Sequence, residues 1–245
     1  MSKAVHHSWA GLRVMLATLP SVARDLGRRT ALGATVVGVA MTLTLSSASV
    51  GLTGLTAGTA QAQAPTWTVP MSGIADGAGH LRAQHGQMGW LVICDQVEAR
   101  VRAQRGAQMS GDGVIAITSM TFGDAPCSGV LGDTITLTVA TLPLRFNALA
   151  YDASTSVVAG RVTGITVTAT SNQGCVLTVA GPNGTPGQVD ATYANPTGTI
   201  TVKDNSHLRV TSVTTGCARG GVKVGDNILL EGQFALSPRG IITSP

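Results

Sequence analysis

Thr134-Ile135-Thr136-Leu137-Thr138-Val139 alternates polar with apolar side chains over six residues, and this alternation decides the class of the chain. Successive side chains of a strand point to opposite faces, so Ile135, Leu137 and Val139 address a core while the three threonines address water. Ile165-Thr166-Val167-Thr168-Ala169 repeats the pattern. Further strands are expected at 90–94, 114–122, 146–151, 175–179 and 228–236. Between 189 and 213, three short runs (189–193, 198–202 and 208–213) are separated by Asn195-Pro196-Thr197 and Asp204-Asn205-Ser206, turn residues that suggest a meander. Residues 181–187 are too rich in Gly and Pro for a strand and read as an exposed loop. Roughly ten strands at this spacing imply an all-β fold, a single antiparallel sandwich or barrel.

The stretch 95–104 admits two readings. Asp95 could cap a helix, with Glu98 in the capping-box position. The alternation of Val97, Ala99, Val101 and Ala103 with Glu98, Arg100, Arg102 and Gln104 favours a strand with one charged, solvated face. On that strand Asp95 and Glu98 would point to opposite faces, which argues against a glycosidase carboxylate pair.

Residues 1–62 have the order of an export signal peptide. Lys3, Arg13, Arg24, Arg28 and Arg29 form the positive region, an apolar run extends from about Ala31 to Leu45, and Ala60-Gln61-Ala62 offers a cleavage site that would leave Gln63 at the new N-terminus. An uncleaved anchor at 31–50 would be about long enough to span a bilayer at ~20 residues, but Thr30, Thr35, Thr42, Thr44, Ser46, Ser47 and Ser49 dilute its apolarity. The mature form is therefore expected not to span a membrane. The expected organisation is a leader at 1–62, a Gly-rich approach segment at 63–88 and a disulfide-linked β domain at 89–245.

The full chain carries a formal charge of +4, but five of its sixteen basic residues and one of its twelve acidic residues lie in the leader. The remainder has eleven of each, so no basic footprint for nucleic acid remains. Its aromatics are scattered singly rather than grouped as a base-stacking platform requires.

All four cysteines, Cys94, Cys127, Cys175 and Cys217, follow the leader. An even number in a chain bound for an oxidising compartment reads as two disulfides. Of the three connectivities, Cys94 with Cys127 and Cys175 with Cys217 is expected, because sequence neighbours in a meander tend to be spatial neighbours. The spacings exclude a Cys-x-x-Cys zinc or redox site.

Leu142-Pro143-Leu144-Arg145-Phe146-Asn147-Ala148, Tyr151-Asp152, Gly160-Arg161-Val162-Thr163-Gly164-Ile165, Gly174-Cys175, Thr192-Tyr193-Ala194-Asn195, Gly216-Cys217 and Gly225-Asp226 carry a resemblance over roughly 94–245. Through them the chain resembles a group of uncharacterised secreted actinobacterial β-rich proteins with four cysteines. It departs at Leu144, where the group commonly has Trp, and in a longer 181–187 loop. The resemblance implies a secreted, disulfide-linked β domain and brings no activity with it.

Catalytic candidates are few. His80 and His85, five apart, match neither one helix face nor one strand face, and no His-Glu-x-x-His accompanies them, so they read as surface-loop histidines. Ser110 and Ser128 lie outside any Gly-x-Ser-x-Gly elbow. The stretch 220–226 reads as a turn before the last strand. No catalytic, metal-binding or cofactor-binding residue is assigned, and the four cysteines are the only site residues. Two functions fit: a non-enzymatic secreted or cell-wall protein acting as an envelope component or through a protein partner, and an extracellular carrier of a small apolar ligand in a β-barrel cavity. Internal volume separates them.

Overall fold

A computed structural model describes residues 64–70, 73–86, 89–123, 126–129, 132–203 and 207–245. The expected leader and its cleavage site lie outside the described residues. The strands are β1 Trp67–Val69, β2 Gly73–His85, β3 Gly89–Ala103, β4 Gly106–Met109, β5 Ile115–Thr121, β6 Cys127–Gly129, β7 Thr134–Val139 and β8 Leu144–Asp152. They continue as β9 Val157–Ile165, β10 Val167–Ser171, β11 Val176–Ala180, β12 Gly187–Ala194, β13 Thr199–Lys203, β14 Leu208–Val213 and β15 Asn227–Ser237. The fold is all-β, with more strands than the spacing suggested. Thirteen strands form one antiparallel sheet, and β1 pairs separately with β4.

The sheet returns on itself twice. In one circuit the pairing runs β13-β12-β9-β8-β5-β3-β2-β15 and closes from β15 back to β13. In the other it runs β3-β2-β15-β14-β11-β10-β7-β6 and closes from β6 back to β3. The long strands β2, β3 and β15 belong to both. In β3, residues 98–103 pair with β5, while Val92 and Ile93 pair with β6. In β15, residues 231–235 pair with β13, while Asn227 and Ile228 pair with β14.

The ladder between β2 and β3 aligns Gly79 with Val97 and Leu81 with Cys94, so β3 has one extra residue in the interval Asp95–Gln96. Such a bulge moves the inward face of a strand by one position. Cys94 faces inward on one side of it, and Val97, Ala99 and Val101 face inward on the other. This corrects the expectation for Asp95 and Glu98, which are both exposed.

The segment 63–88, expected as an approach to the domain, contains a 13-residue strand in the shared wall of both circuits. Gly77 and Gly79 are packing residues rather than loop residues. A Cβ on Gly79 would overlap the Gln233 carbonyl, and one on Gly77 would lie 2.9 Å from Leu236 Cδ2. Neighbouring backbone and side chains fill the space that a side chain would need. The run Ile165–Ala169, read as one strand, is divided between β9 and β10. Gly164 has φ +90°, which an L side chain disfavours, and the chain turns there from the first circuit to the second.

One end of the first circuit is closed by the two chain ends of the domain. Trp67 and Ile242 are buried, and Thr68 pairs with Thr243. Asn195 clamps Ile242 from both sides, its Nδ2 donating to the carbonyl and its Oδ1 accepting the amide, each at 2.8 Å. Tyr193 Oη donates to the Gly240 carbonyl at 2.7 Å.

Candidate ligand cavity

Both circuits turn alternate residues inward, but they fill the interior differently. The strands that only the first circuit uses (β5, β8, β9, β12 and β13) bring Phe146, Val158, Val162, Val189, Tyr193 and Ile200 inside, all buried. The strands that only the second uses (β6, β7, β10, β11 and β14) contain no aromatic residue. They bury Ile135, Ala169, Leu208 and Val210, but Leu137, Val139, Val167, Leu177 and Val179 are only partly buried, as are Leu81, Ala83, Val92 and Leu230 from the shared wall. A ring of eight strands can be filled by its side chains or can keep room for one small ligand.

The space left is a cavity of about 290 Å³. Its wall is largely aliphatic, and the strands of the first circuit contribute Ile117, Leu144, Val162, Val189, Ile200 and Val202 to it. Polar lining residues gather at one end: Asp133 between β6 and β7, Ser171 and Gln173 at the turn from β10 to β11, and Arg219 in the short 3-10 segment Thr215–Gly220. Gln173 and Arg219 are exposed, which makes this end the mouth.

Both disulfides belong to the second circuit. Cys94 is bonded to Cys127 across the β3–β6 seam, beside the two registered pairs that close the circuit. Cys175 is bonded to Cys217, which fastens the 3-10 segment to the start of β11. Cys175 and Cys217 themselves line the mouth. The Thr214 hydroxyl oxygen supports the same corner by accepting the Val176 amide at 2.9 Å. Ser171 Oγ accepts the amides of Gln173 at 3.1 Å and Cys175 at 3.3 Å, shaping the turn on the opposite side.

His85 departs from the expected surface loop. It is not on a surface loop: it ends the inward series Leu81, Ala83, His85 on β2, is 4% exposed, and holds Asp226 Oδ2 at 2.8 Å from Nε2. His80 lies on the same strand, partly buried and on the opposite face. Burial is the largest influence on Asp226 and opposes its ionisation. The His85 hydrogen bond, the Lys223 amide and the nearby charges of His85 and Lys223 together outweigh it and hold the carboxyl below the usual range. The pair fastens the turn before β15 to the end of β2, consistent with the expected turn at 220–226.

The remaining candidates stay apart. Ser110 is exposed and donates to Asp112 at 2.8 Å, and Ser128 is exposed on β6. Arg100 reaches Asp76 at 3.1 Å on an exposed face. Among the described residues no group of three or more His, Cys, Asp and Glu side chains is arranged to hold a metal ion. The mouth residues Asp133, Ser171, Gln173 and Arg219 were not singled out from sequence, since each is an ordinary turn or strand-end residue until the circuit closes. Comparison with protein-family models, with curated proteins and with solved structures finds no match for this chain.

Proposed function

We propose that this chain is a secreted, non-enzymatic β-protein that holds a small apolar molecule inside its second circuit, with each circuit acting as a closed eight-stranded barrel. Eight strands enclose an interior that side chains can just fill or that holds one small ligand. Phe146, Val158 and Tyr193 fill part of the first circuit, whereas the second keeps room for a ligand. The observation that carries the reading is the aliphatic cavity of about 290 Å³. It is near the lower bound of ligand pockets, ~300 Å³, and roughly twice the ~150 Å³ apolar cavity that accepts benzene. A purely structural envelope protein would gain by filling this space, since at roughly 24 cal/mol per Å³ a dry void of that size costs several kcal/mol.

The two disulfides support an oxidising location outside the cytoplasm, at the cell wall or beyond it. The outward faces support an aqueous rather than a lipid exterior, since β7 and β10 present Thr134, Thr136, Thr138, Thr168 and Thr170 where a membrane barrel carries an apolar band. Among the described residues no helix is long and apolar enough to cross a membrane.

Native mass spectrometry of the purified protein equilibrated with 1-decanol tests the proposal. One adduct per folded chain is expected. A folded chain that stays at its own mass in excess decanol overturns the carrier reading.

A further inference from the structure

We propose that the molecule held is a single-chain zwitterionic amphiphile, with its tail in the cavity and its head group at the mouth between Asp133 and Arg219. The inference rests on the carrier reading and adds the chemical class of the ligand. The cavity wall is polar at one end only. A ligand matching that gradient has an apolar tail and a single polar head, and enters tail first. A methylene occupies roughly the liquid volume of a water molecule, ~30 Å³, so the cavity accepts a chain of about ten carbons.

The head group is specified by charge. Asp133 and Arg219 both line the mouth, and among the described residues neither uses its side chain in a hydrogen bond or an ion pair, with each other or with a third residue. A charge beside a low-dielectric wall is felt more strongly by a ligand than it would be in bulk water. An anionic head meets Arg219 but also Asp133, and a cationic head meets the reverse. A head carrying both charges gives each side chain its counterpart. Ser171 adds a donor at this end: it is 6% exposed, lines the cavity, and accepts two amides while its own hydroxyl proton has no acceptor among the described residues. An oxygen of the head group supplies that acceptor.

Calorimetric titration below the micelle concentration with four probes of one tail length (decylphosphocholine, decanoate, decyltrimethylammonium and 1-decanol) tests the assignment. In the native protein decylphosphocholine is expected to bind about tenfold more tightly than 1-decanol, the combined effect of two partly exposed ion pairs. Arg219→Gln should abolish that advantage and shift the preference to decyltrimethylammonium. Asp133→Asn should shift it to decanoate. A far-UV circular dichroism spectrum and urea midpoint matching the native protein in both variants show that the fold is intact. Equal binding of all four probes by the native protein and both variants overturns the head-group assignment while leaving the carrier reading in place. A native preference for either singly charged probe overturns it as well. Failure of all four to bind removes the carrier reading itself.

Discussion

Five strands that only one circuit uses carry Phe146, Tyr151 and Tyr193, whereas the five strands that only the other uses carry no aromatic residue. Both sets lean on the same three long strands, and both close with eight. The difference in side-chain volume therefore distinguishes a filled region around Phe146 and Tyr193 from a hollow one that also reaches Val162, Val189 and Ile200, within a single sheet. Covalent bonding shows the inverse distribution. The filled circuit is held by its core and by the clamps at Tyr193 and Asn195, while both disulfides tie the hollow circuit, one at its closing seam and one at its mouth. A wall that surrounds empty space gains less from burial, and crosslinks that restrict the unfolded chain offset that loss.

The largest expected effect comes from emptying the filled half. Phe146→Ala should lower stability by about 4 kcal/mol, whereas Leu177→Ala, beside space that is already empty, should cost only about 1 kcal/mol, read from urea unfolding midpoints. Equal costs would mean that the two interiors are packed alike. Replacing Cys94 and Cys127 together by Ser should cost about 3 kcal/mol through the 33-residue loop and should also weaken ligand binding, because the seam forms part of the cavity wall. Ala169→Leu, which adds volume directly to the lining, should raise stability by about 1 kcal/mol and prevent binding of decyl chains.

The smallest expected effect belongs to the His85–Asp226 pair. The Asp226 carboxyl is held below its usual range, so the stabilisation is present above the unfolded carboxyl range, near pH 4, and is lost as pH falls through the lower folded value. Unfolding midpoints measured from pH 6 down to pH 2 should fall less steeply in Asp226→Asn than in the native protein. Parallel curves would show that the pair does not contribute.

The class of the fold was legible because β7 occupies the same six residues whose alternation specifies a strand. Thr134 to Val139 lies at the hollow circuit, where one face meets water and the other meets the interior, so the period-two signal is clean. The centre of the sheet was not legible. β2 contains Gly77 and Gly79, and glycines that make room for neighbours cannot be told by composition from glycines that make turns. The bulge at Asp95–Gln96 and the corner at Gly164 and Thr166 were hidden for a related reason, because alternation continues locally across both. The cavity depends on two closures, β13 with β15 and β3 with β6, that join residues distant in sequence and leave no local trace. The scarcity of aromatics was the one sequence feature that bore on it.

Titration of the protein with the neutral apolar fluorophore N-phenyl-1-naphthylamine tests the hollow circuit most directly. Saturable enhancement with one site per chain, displaced by 1-decanol and absent in Ala169→Leu, is the predicted result. A folded native protein that gives no saturable enhancement, or an Ala169→Leu variant that binds as the native protein does, would contradict it.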